Sequence, residues 1–329
     1  MPDISSFQPI QTWFAAQGFL PQPFQEDTQQ AYREGKSGLL NAPTGSGKTM
    51  ALFLAFLAEY IENQANTYQK NQKNGLQIIW ITPLRALAKD LQTAMQGACD
   101  TLQVAWKVAL RTGDTTSSEK QKQQRSMPEC IITTPESLHI LLAQKDCSEI
   151  FANLKAIVID EWHELLGTKR GVQVELAVSR IANIPKLNLR IWGISATIGN
   201  MDEAAKVLLA LLPAKKQNEK QAEKQEDFVF VKANIHKKLN IIPILPDEVE
   251  HFPYVGYLGI RLIDKLLPII EASQSTLIFT NTRSQTDLWY QQILAAAPHL
   301  AGLIAMHHSS IDKDLRIWVE NALQMEIGR

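Results

Sequence analysis

Short runs of apolar, β-branched residues alternate along the chain with longer stretches in which apolar residues recur at helical spacing. Six runs read as strands: 38–41, 77–82, 104–110, 130–133, 156–160 and 190–195. Each is followed by a turn signal and then a helical pattern. That rhythm predicts βαβ units, an α/β fold and a parallel sheet covered on both faces. The most apolar stretch, 50–58, falls well short of the ~20 residues that cross a bilayer and reads as a buried helix. Residues 214–227 (AKKQNEKQAEKQED) carry no large apolar side chain, which predicts an exposed loop. The polar runs at 63–74 and 115–124 read as surface loops too. Two later apolar runs, 275–282 (STLIFTNT) and 302–306, predict strands of a second α/β domain. The expected organisation is a first domain over 1–212, a polar loop and linker over 213–245, and a partial second domain over 246–329.

A chain of 329 residues has room for two domains, each with a core. Hydrophobic residues make up 45% and charged residues 20%, ordinary values for a globular protein. The formal net charge of -1 advertises no global basic surface. It does not exclude a nucleic-acid partner, because backbone N–H groups and helix N-termini bind phosphate without formal charge. Cys99, Cys130 and Cys147 are widely spaced, with no CxxC pair. They read as reduced thiols of a cytoplasmic protein rather than as zinc ligands or a disulfide framework. The first residues lack the basic start and apolar run of a secretory leader.

Residues 42–49 read APTGSGKT between a strand and an apolar helix. Apart from Ala42, which stands where the strict pattern has glycine, this is a phosphate loop in its required context. Glycines allow successive N–H groups to face phosphate oxygens, and the helix N-terminus adds partial positive charge. Thr44, Gly45, Ser46, Gly47, Lys48 and Thr49 are therefore candidates for binding ATP. Lys48 would supply a charge for the β/γ oxygens, and the Thr49 hydroxyl a ligand for Mg²⁺. Residues 156–163 read AIVIDEWH, a strand ending in adjacent carboxylates. In a parallel sheet the strand C-termini face the ligand crevice. Asp160 would there reach Mg²⁺, Glu161 would polarise the attacking water, and His163 would face the γ-phosphate side.

Taken together, APTGSGKT, DEWH and the SAT triplet at 195–197 resemble the superfamily-2 DExH-box helicases. Gln25, in GFLPQPFQ, resembles the glutamine that reads the adenine edge. TPLRALA (82–88), RTGD (111–114) and TTPESL (133–138) resemble the backbone-contacting motifs of the first lobe. DEWHELLGTKRGVQVEL, GISATIGN, IFTNTRSQTDLWY and HHSS narrow the likeness to the Lhr (large helicase-related) group, most closely its bacterial ligase-associated branch. The resemblance implies two RecA-like lobes with ATP between them and a role in DNA repair beside a ligase and a nuclease. It also implies 3′→5′ movement on single-stranded or partly duplex DNA. Ser195 and Thr197 would couple hydrolysis to the lobe interface. Strand contacts are implied for Arg85, Thr112, Gly113, Thr134 and Pro135 in the first lobe, and for Thr280, Asn281, Arg283, His308 and Ser309 in the second. Arg170, in KRGVQVEL, is either a strand contact or a helix cap. The family's Q-x-x-R-x-G-R motif, which donates arginine fingers, does not occur in this sequence. Such fingers contribute about 10³–10⁵ in rate to related phosphoryl transfers, so weak independent turnover is expected. An RNA partner, a non-catalytic binding module and another class of P-loop ATPase are the alternatives.

Overall fold

Strands apolar at every position can only be satisfied inside a sheet covered on both sides. The computed structural model, which describes residues 8–70, 72–184, 187–196, 199–211, 228–235, 240–246 and 259–324, contains such a sheet. The chain divides into two units, Met1–His236 and Lys237–Arg329. In the first, α1 (Gln8–Gln17) and α2 (Pro23–Arg33) precede β1 (Ser37–Asn41) and α3 (Lys48–Asn63). There follow β2 (Ile78–Ile81), α4 (Arg85–Thr101), β3 (Val108–Arg111), α5 (Ser117–Arg125), β4 (Cys130–Thr133) and α6 (Pro135–Leu142). The unit continues through α7 (Cys147–Ile150), β5 (Ala156–Ile159), α8 (Trp162–Leu165), α9 (Lys169–Ala182), β6 (Arg190–Ser195), α10 (Met201–Ala210) and β7 (Phe228–Lys232).

The seven strands form one sheet in the order β3-β4-β2-β5-β6-β1-β7, and every pairing is parallel. Strand parity divides the core. Leu40, Ile78, Trp80, Val158 and Trp192 pack with α1 to α4 on one face. Leu39, Ile79, Ile81, Ile157 and Ile159 pack with α6, α8, α9 and α10 on the other. Residues 51–58 of α3 are all buried, as their apolar run predicts. The register aligns the strand ends: Asn41 pairs with Ser195, Ile159 with Ile81, and Ile81 and Arg111 both with Thr133. The 42–49 loop, the DEWH run, Ser195 and the TPLRALA, RTGD and TTPESL runs therefore leave the sheet along one edge.

Several expectations are corrected. Strand β3 starts at Val108 rather than at 104, because the preceding amides bond elsewhere: Val104 to Cys99, Ala105 to Tyr68 and Lys107 to the Glu129 carboxylate. Residues 115–124 hold a helix instead of a loop. Helix α5 has no apolar stripe, but Thr116 and Glu119 form a capping box, and Gln123 links Arg111 to the Leu110 carbonyl. Strand β7 lies inside the span expected as loop and linker and pairs with β1. The polar stretch 214–227 lies outside the described residues.

In the second unit the described elements are α11 (Ile263–Ala272), α12 (Arg283–Ala296) and α13 (Lys313–Gln324), with short 3₁₀ turns at Ile260–Leu262 and Pro298–Leu300. The two expected strands, 275–282 and 302–306, form no ladder. Residues 275–280 run without regular structure and have no strand partner among the described residues. Phe279 is 89% exposed and Leu277 66%, so this run has the composition of a sheet strand without the sheet.

Candidate nucleotide site and nucleic-acid surface

Pairing of β1 with β6 continues one step past Asn41, as Ala42 N–H donates to the Ser195 carbonyl at 3.0 Å. The chain then turns into α3. Ser46 closes the turn on the Pro43 carbonyl through both its amide and its hydroxyl. Gly45 (φ +75°) and Gly47 (φ +84°) adopt left-handed backbone, and the first i→i−4 bond of α3 runs from Ala51 N–H to the Gly47 carbonyl. The amides of Lys48, Thr49 and Met50 precede that bond and emerge from the helix N-terminus, the arrangement that receives phosphate. Gln25 is 4% exposed; its Oε1 accepts from Gln22 N–H at 2.8 Å and its Nε2 donates to the Gly47 carbonyl at 3.2 Å. A Cβ on Gly47 would stand 2.6 Å from that Nε2. The glutamine expected at the adenine edge thus buttresses the phosphate loop.

Strand β5 delivers the carboxylates beside this loop. Asp160 is 7% exposed, and both of its oxygens accept hydrogen bonds: Oδ2 from the Trp80 indole at 3.2 Å and Oδ1 from Glu161 N–H at 3.0 Å. Burial is the main force on this carboxyl and raises it from 3.8 to about 6. The indole bond opposes that rise, while the Glu161 charge adds to it. Glu161 is itself in left-handed backbone (φ 45°, ψ 51°), a conformation that costs a non-glycine residue energy and gathers at functional sites. Its Oε1 lies 3.5 Å from the buried Lys48 Nζ. Its Oε2 is buried without a hydrogen-bond partner among the described residues, although His163 Nδ1 is only 3.3 Å away. That nitrogen is engaged by Ser195 Oγ at 2.9 Å.

These residues suit a magnesium nucleotide. Mg²⁺ commonly takes one or two protein oxygens together with substrate phosphates and water, rather than a full protein cage. Asp160 and the partly buried Thr49 supply that number, and the described residues hold no cluster of three metal-ligating side chains. The second Glu161 oxygen is a buried acceptor with no hydrogen-bond partner among the described residues. Thr44 and Gly45 are exposed on the loop. Thr197 lies outside the described residues.

The candidates for strand contact fall into two kinds. Arg85 is exposed, with Nη1 3.9 Å from Asp114 Oδ1. Its guanidinium packs on Gly113, where a Cβ would meet Arg85 Cζ at 3.3 Å. Thr112, Thr134 and Pro135 are buried. Thr112 Oγ1 accepts from Asp114 N–H, and Thr134 caps α6 by accepting from Ser137 N–H. Their side chains shape turns. In the second unit, Thr280 bonds Thr286 at 2.7 Å, and Asn281 N–H donates to Gln285. Arg283 donates to Ser310 Oγ at 2.6 Å, and Ser310 N–H donates to His308 Nδ1. Arg283 and His308 thereby meet around Ser310, beside the exposed Ser309. Sequence reasoning missed Trp80, whose pairing with a carboxylate at the end of a neighbouring strand leaves no local signal. It also missed Glu136, which Arg170 grips with Nε and Nη2 at 2.7 and 3.3 Å.

Comparison with known proteins agrees with this geometry. The family model for DEAD/DEAH box helicases matches residues 22–204. The ATP-dependent helicase Lhr-Core of Methanocaldococcus jannaschii is 33% identical over 96% of this chain. The Lhr helicase/uracil glycosylase of Escherichia coli is 26% identical over 98%. The chain spans 36% and 24% of the lengths of these two relatives. Among solved structures, Mycobacterium smegmatis helicase Lhr bound to ssDNA and AMP-PNP superposes with a TM-score of 0.71 at 24% identity, covering 98% of this chain and 40% of that one. The DUF1998 helicase MrfA bound to DNA and AMPPNP gives 0.73 at 20% identity, covering 99% and 43%. At these identities the structural likeness is one of fold. The family model covers more than half of the sequence, and the chain belongs to the DEAD/DEAH box helicase family.

Proposed function

We propose that this chain is the motor portion of an Lhr-type helicase that couples Mg·ATP hydrolysis to movement on single-stranded DNA. The observation that carries the reading is the convergence at one sheet edge of Lys48, Asp160, Glu161 and the His163–Ser195 pair. In this scheme the amides of the phosphate loop and Lys48 hold the β- and γ-phosphates. Thr49 and Asp160 hold Mg²⁺, whose chemistry is to neutralise charge that develops on the transferred phosphoryl group. Glu161 Oε2 takes a proton from the attacking water, and Lys48 keeps the opposite carboxylate oxygen in place. His163 and Ser195, with Thr197, relay the state of the nucleotide. Arg85 and the turn amides around Gly113 and α6 would take the sugar-phosphate backbone, with little dependence on base sequence.

The similarity to Lhr-Core proteins and to an Lhr structure holding ssDNA and AMP-PNP supports this partner and this nucleotide. The run DEWHELLGTKRG favours the ligase-associated branch, and with it a cytoplasmic role in DNA repair beside a ligase and a nuclease. ATP hydrolysis measured with and without single-stranded DNA tests the proposal. Hydrolysis that is weak, as the missing arginine-finger motif predicts, but stimulated by DNA and abolished by Glu161→Gln is the expected result. Stimulation by RNA alone would transfer the scheme to an RNA partner, and hydrolysis indifferent to either strand would remove the motor.

A further inference from the structure

Arg170 takes no part in the nucleotide site, yet three of its guanidinium nitrogens are committed. Nε and Nη2 hold both carboxylate oxygens of Glu136, and Nη1 donates to the Pro83 carbonyl at 2.8 Å. The fork joins three segments that are far apart in sequence: the start of α9, the first turn of α6, and the loop that leaves β2. Two residues beyond Pro83 stands Arg85, the exposed cation among this unit's candidates for strand contact, resting on Gly113. Thr134, which caps α6, is two residues before Glu136. Both ends of the fork therefore grip segments that carry strand-contact motifs. A bidentate grip with a third bond at a fixed angle matches a planar guanidinium; a lysine ammonium cannot reproduce it.

We propose that Arg170 and Glu136 form a positioning clamp for the nucleic-acid surface. The clamp fixes the 83–85 loop against the N-terminus of α6, so that Arg85 and the α6 turn keep the spacing of successive phosphates. Arg170 acts through Pro83 and Glu136 and is not itself a strand contact. The inference rests on the reading of this edge as a nucleic-acid surface. It goes further in assigning a role to two residues that neither bind nucleotide nor touch the strand.

Fluorescence anisotropy of a labelled single-stranded oligonucleotide tests it on the full chain, with Arg170→Ala, Arg170→Lys, Glu136→Ala and Arg85→Ala. A fluorescent ATP analogue is titrated in parallel. Removing the acidic Glu136 should by electrostatics alone tighten the grip on a polyanion. The clamp requires the opposite: both Glu136→Ala and Arg170→Ala weaken DNA binding, by roughly 2- to 30-fold, the range for residues that act through a packed network. Arg170→Lys does not rescue, the double variant is no weaker than the worse single one, and nucleotide affinity stays within about twofold of the parent. Tighter or unchanged DNA binding by Glu136→Ala, with loss in Arg170→Ala, overturns the clamp and makes Arg170 a direct phosphate contact. Equal losses of DNA and nucleotide affinity overturn it as general damage to the fold. Should the parent chain and Arg85→Ala bind DNA alike while nucleotide still binds, the surface reading itself fails and the clamp falls with it.

Discussion

Replacing Trp80 with phenylalanine keeps most of the buried ring and removes one N–H. The indole is fully buried and donates to Asp160 Oδ2 at 3.2 Å, so the variant leaves this carboxylate, among the described residues, with the bond from Glu161 N–H alone. Hydrogen bonds to charged groups contribute about 1.5–3 kcal/mol, and one pKa unit corresponds to about 1.4 kcal/mol. The Asp160 carboxyl, raised mainly by burial to about 6, should climb a further one to two units, by about that ratio, once the opposing bond is lost. The sign follows from linkage. A carboxyl whose folded pKa lies above its unfolded value favours the folded state at low pH, and that contribution is lost as pH rises through the folded pKa. The rise from 3.8 to about 6 makes holding Asp160 ionised at neutral pH cost about 3 kcal/mol, which the Mg²⁺ of the proposed site would offset. The variant raises this cost and leaves Asp160 half or more protonated at about pH 7. Titration of Mg²⁺ against a fluorescent ATP analogue should show a Mg²⁺ requirement about two- to tenfold above that of the parent at pH 7, narrowing toward pH 9 as both carboxyls ionise. Superimposable Mg²⁺ curves at pH 7 would refute the reasoning.

Other substitutions separate binding from chemistry. Gly47→Ala forces a side chain into left-handed backbone at φ +84° and 2.6 Å from Gln25 Nε2; calorimetry should show ATP affinity reduced about tenfold or more, from a strain of roughly 1–2 kcal/mol. Glu161→Gln should retain nucleotide affinity within about twofold while phosphate release in the presence of DNA falls by about 10² or more, the scale of a positioned general base. Ser195→Ala removes the hydroxyl 2.9 Å from His163 Nδ1; nucleotide affinity and melting temperature should hold, while the stimulation of hydrolysis by single-stranded DNA declines.

Most of the first unit was legible because its signals are local. A phosphate loop must sit between a strand and a helix, and the strands bearing DE and SAT are apolar enough to be read as buried. Their convergence follows once the sheet is parallel, since motifs that end strands must share an edge. What was illegible depends on partners distant in sequence. Helix α5 has no apolar stripe and stands on a capping box and on Gln123, although Thr116 and Glu119 are a readable signature. Strand β7 alternates as FVFVK, and pattern alone does not say that it adds to β1 as the outermost strand. In the second unit the opposite happened: STLIFTNT has strand composition, but a strand also needs a neighbour, and no described residue supplies one. Gln25 stands out in the sequence only by its likeness to a family motif, and its two hydrogen bonds to Gln22 and Gly47 emerge only when α2 is laid against the 42–49 loop.

The central claim is that the loop at 42–49 and the carboxylates of β5 form one Mg·ATP site. Its most direct test is equilibrium binding of Mg·ATP to the parent chain and to Lys48→Ala. The account predicts saturable, Mg²⁺-dependent binding by the parent and its loss in the variant, because Lys48 is the buried cation that faces Glu161 at 3.5 Å. Nucleotide affinity unchanged by Lys48→Ala would contradict it.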